Sequence, residues 1–282
     1  MGYKKSLNDA VSYALSSKCH FGDSRHEGKI NGTDTQSIYS YKTYHNYLES
    51  CNRFVNYCKD NYSCKTLSDC EKHINDYIQD KRAEGVSAYT QKAYLSAIGK
   101  LYGQSYFDKV ETDSRHRADI TRSRLETESL RQYNELKHQD LKEFCQATGL
   151  RRSELEKIKG DCLVEKDGKY YIHVENGKGG KNRDVYILNQ NQNVIDKIKN
   201  TNDNEKVWGR VNCRAPIHEY RSDYANTLYN QLARDTSTLS YKEVYHCKND
   251  MAGRHFDKLA MREVSDNLGH NRIDVIAQNY LR

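Results

Sequence analysis

The chain has 282 residues, a length that suits two domains. Its 45 Lys+Arg against 39 Asp+Glu give a formal net charge of +6, too small an excess to identify a nucleic-acid binder by itself. No stretch approaches the roughly 18 apolar residues of a membrane-spanning helix, and the N-terminus has no uninterrupted apolar signal region. The sequence therefore argues against a membrane partner and predicts a cytoplasmic protein.

The first part of the chain predicts helices. An apolar stripe at three- and four-residue steps predicts a short helix over residues 6–17. Ser68 and Glu71 have the spacing of a capping box, and Ser87 is placed to begin the next helix. These patterns predict an N-terminal helix and loop over 1–37, followed by a compact helical domain over 38–112.

Nine cysteines are present, an odd number with no Cys-x-x-Cys pair. Four of them are clustered, which raises the question of a metal site. Zinc ligands usually come in pairs about two to four residues apart, whereas the gaps here are five or six residues. We therefore expect no metal, and reduced, mostly buried thiols at the clustered positions: Cys51, Cys58, Cys64 and Cys70.

Residues 113–124 form a basic segment with few apolar side chains. It is either a solvated linker or helix face, or a linker that crosses a nucleic-acid backbone. Arginine suits the second role because its fork binds phosphate oxygens in bidentate fashion. The candidate contacts are Arg115, Arg117, Arg122 and Arg124.

The remaining residues, 125–282, mix helix and strand. A helix is predicted over 139–148 with a stop at Gly149, and Ser153 with Glu156 can cap the next one. Alternating residues predict two strands joined by the glycine-rich turn NGKGGKN, a hairpin signal. The strands are expected at 170–175 and 183–188, and further helices at about 189–200, 218–233, 257–268 and 272–281.

Several side chains in this half could support phosphoryl transfer: Arg151 in ATGLRRSEL, Lys178 in NGKGGKNR, His218 and Arg221 in HEYR, His270 in LGH, and Tyr280. Taken singly, each has an ordinary structural explanation. Their order, Arg…Lys…His-x-x-Arg…Leu-Gly-His…Tyr, resembles the catalytic domain of the tyrosine recombinases, the phage-integrase family.

The resemblance implies a mainly α fold with a small antiparallel β-sheet. It implies a helical, SAM-like core-binding domain at 38–112 and an α+β catalytic domain at 125–282, forming a C-shaped clamp on DNA. The implied activity is site-specific recombination, by an integrase/excisionase or an invertase, through a 3′-phosphotyrosine and without a cofactor. The implied partners are double-stranded DNA with core sites, a tetramer of the chain on DNA, and accessory DNA-bending or directionality factors. The implied setting is the nucleoid of a bacterium or phage-infected cell.

Residue roles follow from the same resemblance. Tyr280 would be the nucleophile, Arg151 and Arg221 the clamp on the nonbridging oxygens, and Glu154 the group that orients Arg151. His218 would handle the tyrosine proton, and His270 would bond the phosphate. Lys178 would be the general acid for the 5′ oxygen, with Lys181 as the alternative. Lys181 and Arg183 would otherwise contact the DNA backbone.

Two departures from the family pattern are visible. Arg221 and His270 are 49 positions apart, longer than the common family spacing, so residues 234–256 look like an insertion with one strand. Only two residues follow Tyr280, where family members usually continue into a segment that docks on the next subunit. Either the natural chain continues past Arg282 or another element makes this contact, and the apolar stripe of the helix at 6–17 suggests that helix. Two other functions stay open: a type IB topoisomerase-like nicking and closing enzyme, and a catalytically silent DNA-binding regulator.

Overall fold

The computed structural model describes residues 6–23, 25–33, 36–116, 133–177 and 182–281. By its internal contacts the chain divides into two compact units, Met1–Asp119 and Ile120–Arg282. No helix within the described ranges is long and apolar enough to cross a membrane.

The first unit is built from helices packed around α3 (Tyr41–Tyr62). This helix contacts α1 (Leu7–Ser16), α4 (Leu67–Glu71), α5 (Ile74–Ala83) and α6 (Ala88–Tyr102). Its core is aliphatic and aromatic, with Phe54, Tyr77 and Ile98 almost fully buried. The side chain of Ser87 caps α6 as predicted, whereas the capping box in front of α4 is Thr66 with Asp69, not Ser68 with Glu71. The helices are α1 (Leu7–Ser16), α2 (Arg25–Ile30), α3 (Tyr41–Tyr62), α4 (Leu67–Glu71), α5 (Ile74–Ala83) and α6 (Ala88–Tyr102).

The apolar stripe of α1 is used inside this unit. Val11 and Leu15 are fully buried, and α1 packs on α3 and α6. The stripe is therefore not a free surface, and the reason for assigning α1 to a contact between subunits disappears.

The four clustered cysteines lie in the same core as free thiols, as expected. Burial raises the pKa of Cys51 to about 12, so this thiol stays protonated at neutral pH. Among the described residues, no group of three or more His, Cys, Asp or Glu side chains is arranged to hold a metal ion.

The second unit places helices around a three-stranded antiparallel sheet. Its strands lie in the order β1 (Leu163–Lys166), β2 (Lys169–Val174) and β3 (Arg183–Tyr186). The two strands predicted from the sequence are β2 and β3, and β1 is an additional strand that the sequence reading missed. Ile172 of β2 lies opposite Val185 of β3 and Leu163 of β1, which directs an apolar row into the core. The elements are α7 (Gln139–Thr148), α8 (Arg152–Leu155), β1 (Leu163–Lys166), β2 (Lys169–Val174), β3 (Arg183–Tyr186), α9 (Gln192–Lys199), α10 (Ile217–Leu232), β4 (Val244–His246), β5 (His255–Asp257), α11 (Lys258–Asn267) and α12 (Asp274–Asn279), with 3-10 turns at Glu135–His138, Gly160–Cys162, Leu188–Gln190, Thr236–Thr238 and Asn249–Met251.

β4 and β5 form a strand pair over residues 244–257, where the sequence predicted one strand within 234–256. Arg234 binds the fully buried carboxylate of Asp257 with two bonds, Nε to Oδ2 at 2.8 Å and Nη2 to Oδ1 at 2.9 Å. Asp257 also accepts a bond from the backbone of Leu259 at the start of α11. The ion pair thus fixes the strand pair between the end of α10 and the start of α11.

Candidate active site

The hydroxyl of Tyr280 lies between the side chains of Arg221 and His270. Nε of Arg221 donates to Tyr280 Oη at 3.2 Å, and Nε2 of His270 is 3.1 Å from the same oxygen. The ring of His218 stacks on the Tyr280 ring with an interplanar angle of 8°. Tyr280 is only 5% exposed, so the hydroxyl is held within the protein.

The contact of Arg221 with His270 favours one tautomer of the histidine ring. A guanidinium can only donate, and Nη2 of Arg221 faces His270 Nε2 at 3.5 Å. This contact favours the tautomer in which Nε2 is the acceptor, and in that tautomer the Tyr280 hydroxyl donates to it. The phenol accepts from Arg221 and donates to His270, an arrangement that favours loss of its proton.

Arg221 is almost fully buried in α10. It donates to Tyr280, to the carbonyl oxygen of Gly149 and to that of Leu268. Burial lowers the pKa of Arg221 to about 10, so its guanidinium still carries a full positive charge at neutral pH. The carbonyl oxygens hold that charge in place without cancelling it.

Arg151 also donates to the carbonyl oxygen of Leu268. As the N-cap residue of α8 it is extended, and its Nη2 donates to Leu268 O at 2.9 Å and more weakly to Gly269 O at 3.4 Å. Its Nη1 donates to Glu154 Oε1 at 2.8 Å, the contact that the i,i+3 spacing suggested. Two guanidinium groups thus meet at the Leu268 carbonyl oxygen, and that of Arg221 also binds the hydroxyl of Tyr280.

Glu154 is bound by two arginines rather than one. Besides Arg151, it accepts bonds from Nη1 and Nη2 of Arg183 at 3.0 and 2.8 Å. Burial by itself would raise the pKa of Glu154, but the hydrogen bonds and charge of Arg183, with those of Arg151, lower it to about 2. Arg183 was expected to contact DNA; in the structure its fork faces Glu154 instead.

Two glycines allow this convergence. Gly149 ends α7 with φ of +58°, and a Cβ there would meet Tyr224 Cδ1 at 2.4 Å. Gly269 follows α11 with φ of +64°, and a Cβ there would meet the Arg183 side chain at 3.1 Å. Both need the left-handed backbone and the close approach that glycine permits.

The family resemblance implies that His218 handles the proton of the tyrosine and that His270 hydrogen-bonds the phosphate. In the structure His270 hydrogen-bonds the phenol and His218 contacts the face of its ring. Asn226, which carried no family signal, donates to the backbone carbonyl of Tyr280 at 2.7 Å.

Of the remaining candidates, Arg115 lies within the described residues. Arg115 is exposed and stacks on Tyr89, with its Cζ 5.2 Å from the ring centre. The others fall outside the described residues: Arg117, Arg122, Arg124, Lys178 and Lys181.

Comparisons with known proteins identify the fold. The whole chain matches the XerH site-specific recombinase in its pre-cleavage complex with the difH substrate, at 14% identity over 96% of that chain with a TM-score of 0.51. A weaker match is XerH in a post-cleavage complex with palindromic difH, at 14% identity over all of this chain and 94% of that one, with a TM-score of 0.46. Another is the XerA recombinase, at 15% identity over 96% of this chain and 94% of that one, with a TM-score of 0.32. No protein-family model and no curated protein matches the sequence.

The first of these matches confirms the expected fold class. The chain has a tyrosine recombinase fold, mainly helical with small antiparallel sheets.

Proposed function

We propose that the chain is a site-specific DNA recombinase that cleaves and rejoins strands through Tyr280. The observation that carries the proposal is the environment of the Tyr280 hydroxyl. It accepts from Arg221 Nε and lies 3.1 Å from His270 Nε2, with Arg151 bound to the same backbone carbonyl as Arg221. A phenol with a pKa near 10 needs such neighbours to act as a nucleophile near neutral pH.

The first chemical step would be attack of Tyr280 Oη on a DNA phosphorus. The phenolic proton passes to His270, the P–O5′ bond breaks, and the 5′ oxygen takes a proton from a general acid. Lys178 is the candidate acid by its place in the sequence motif, with Lys181 as the alternative. The products are a 3′-phosphotyrosine and a 5′ hydroxyl, and attack by a 5′ hydroxyl from another strand reverses the step. No bond energy is lost, so no nucleotide cofactor is needed.

The arginines would stabilise the charge that builds on the nonbridging oxygens during attack. Fixed donors aimed at such charge contribute a large part of catalysis, because they need no reorganisation during the reaction. Arg221 is 2% exposed and Arg151 lies at the rim with its side chain 18% exposed. Arg221 already donates to Tyr280, so the phosphate would have to share or replace that bond as the phenol attacks.

The partners that this function requires are also proposals. Double-stranded DNA would be bound by both units as a clamp, with Arg115 and the other arginines of 113–124 on the backbone. Exchange between two sites would need four copies of the chain, and accessory DNA-bending or directionality factors could choose the outcome among integration, excision and inversion. In support, the XerH structure of the same fold is a complex with its difH substrate.

The test uses nicked duplexes drawn from the DNA that flanks the gene, and asks for a protein–DNA adduct that survives SDS. Wild type is expected to form the adduct, and Tyr280→Phe to bind the DNA without forming it. Tyr170→Phe is the matched control, because it removes a tyrosine hydroxyl of β2 that accepts a bond from Lys199 of α9. If Tyr280→Phe also forms the adduct, the nucleophile is another tyrosine.

The other two functions give different results in the same assay. A topoisomerase-like enzyme would form the adduct and relax DNA without exchanging strands between two sites. Tight binding with no adduct from wild type would favour the silent regulator.

A further inference from the structure

We infer that Arg183 is a positioning residue that sets the clamp arginine Arg151 through Glu154, and does not bind DNA. This inference rests on the proposed function, because it assigns Arg183 a part in the cleavage step. It replaces the backbone contact that the sequence suggested for this residue.

The contacts of Arg183 use all three of its nitrogen positions within the protein. Nη1 and Nη2 donate to the two oxygens of Glu154 at 3.0 and 2.8 Å, and Nε donates to the carbonyl oxygen of Asn267 at 2.8 Å. The Arg183 side chain is 9% exposed and that of Glu154 is 5% exposed. The two remaining N–H groups belong to a side chain that is largely buried, so a phosphate has little access to them. A contact that displaced the bidentate pair would be costly in this buried setting.

Glu154 connects Arg183 to Arg151 through hydrogen bonds. Its Oε1 also accepts from Arg151 Nη1, and its Oε2 from the Arg151 backbone nitrogen, both at 2.8 Å. Each carboxylate oxygen therefore takes one bond from each arginine. The rigid fork of Arg183 fixes the plane of the carboxylate, and the carboxylate then fixes both the main chain and the guanidinium of Arg151.

Arg183 also contacts the turn that holds the other end of the Arg151 side chain. Its side chain passes so close to Gly269 that a Cβ there would lie 3.1 Å from it. The neighbouring carbonyl of Leu268 is the acceptor for Arg151 Nη2. Arg183 thus supports Arg151 at Glu154 and lies against the turn that supplies its second anchor.

The test compares Arg183→Lys and Arg183→Gln with wild type on one nicked substrate. Lysine keeps the charge, so a direct phosphate contact would survive in Arg183→Lys, but lysine cannot form the bidentate pair. We expect both variants to form the covalent adduct about 100-fold more slowly, since a misplacement of about 1 Å can cost this much. We expect the Kd for DNA to change less than twofold, with an unchanged dependence on salt.

A lost phosphate contact would lower the slope of log K against log salt by about 0.9, and that result in Arg183→Gln would overturn the inference. A wild-type cleavage rate in Arg183→Lys would overturn it as well. If wild type binds DNA but forms no adduct, the proposed function itself fails. If wild type forms the adduct and Arg183→Lys forms it equally fast, only the inference about Arg183 fails, so the two failures are distinguishable.

Arg234→Lys is the matched control for stability. It removes the same kind of bidentate pair, with Asp257, at the far end of α11 from the Leu268 turn. We expect this control to lower the melting temperature while keeping the wild-type cleavage rate. Equal slowing by Arg183→Lys and Arg234→Lys would reduce the effect to general destabilisation and reject the positioning role.

Discussion

Arg151 and Arg221 donate to one and the same backbone atom, the carbonyl oxygen of Leu268. Leu268 is the C-cap of α11, where carbonyl groups have no partner within the helix and carry the negative end of the helix dipole. The end of a helix therefore sets the spacing between the two arginines. This gives a structural reason for the Leu-Gly-His sequence: it supplies the acceptor, the left-handed turn and the histidine in consecutive residues.

Replacing Arg221 with lysine should therefore remove more than one donor. A single ammonium group cannot reach Gly149, Leu268 and Tyr280 together, so at least one of these three atoms loses its bond from residue 221. We expect Arg221→Lys to form the covalent adduct at least about 100-fold more slowly, the usual cost of losing one charge-stabilising donor. Loss of a buried hydrogen bond should also reduce the free energy of unfolding by about 1–3 kcal/mol, measured with urea.

Arg152→Lys is the control for that variant. Arg152 also binds backbone carbonyls, those of Asn212, Cys213 and Ala215, but it does not contact Tyr280. It should lose stability while keeping its cleavage rate once the folded fraction is taken into account. Equal loss of rate in both variants would mean that Arg221 acts through stability alone.

Local features of the fold were readable from the sequence because they depend on residues close in the chain. The stop of α7 at Gly149 and the cap of α6 at Ser87 follow from short-range hydrogen bonding. The predicted cap at Ser153 with Glu156 was wrong, because the acid that reaches back is Glu154, which binds the backbone nitrogen of Arg151. Both readings fit the spacing rule, and only the buried position of Glu154 decides between them.

The long-range contacts of the site could not be read in the same way. Glu154 and Arg183 are 29 positions apart, and a basic residue after a glycine-rich turn gives no sign that its fork points inward. Asn226 and Tyr280 are 54 positions apart and meet through a backbone carbonyl, which leaves no trace in residue type. The order of the motif predicted which side chains converge, but not how their hydrogen bonds are shared.

Gly149 should be intolerant of any side chain. Gly149→Ala would place a methyl group against the Tyr224 ring, 2.4 Å from Cδ1, in a backbone with φ of +58°. Strain in the left-handed region and overpacking together should lower the free energy of unfolding by about 2–4 kcal/mol. Gly168→Ala is the control, since Gly168 has φ of +70° and open space around it, and it should lose only about 1 kcal/mol. Equal losses would show that Tyr224 moves aside freely.

Glu154 should make the free energy of unfolding depend on pH in the acid range. Its pKa is lowered from 4.5 to about 2, so its contribution is fully present above pH 4.5 and is lost as the pH falls towards 2. That contribution is on the order of 3 kcal/mol above pH 5. Urea unfolding of wild type and Glu154→Gln should therefore differ most above pH 5, and the difference should shrink as the pH falls from 4.5 to 2. A difference that stays constant over this range would mean that Glu154 is not bound as a carboxylate.

Asn226 should matter for the rate of cleavage and not for DNA affinity. Its amide joins two backbone carbonyls, Ser222 in its own helix and Tyr280 at the end of α12, both at 2.7 Å. The second bond ties the nucleophile to α10, the helix that also carries Arg221, so the phenol and the guanidinium share one support. Asn226→Ala removes a hydrogen bond worth about 1 kcal/mol, which as lost positioning corresponds to roughly fivefold slower adduct formation.

Asn279→Ala separates that effect from a general change near the nucleophile. Asn279 is the exposed neighbour of Tyr280, and its amide donates only to Val275 within the turn of α12 in the contacts described. It should cleave at the wild-type rate, while Asn226→Ala slows and both bind the duplex with wild-type Kd. If Asn226→Ala instead weakens binding and cleaves normally at saturating DNA, the amide acts on the DNA-bound state as a whole and Tyr280 is positioned by Arg221 and His270 without it.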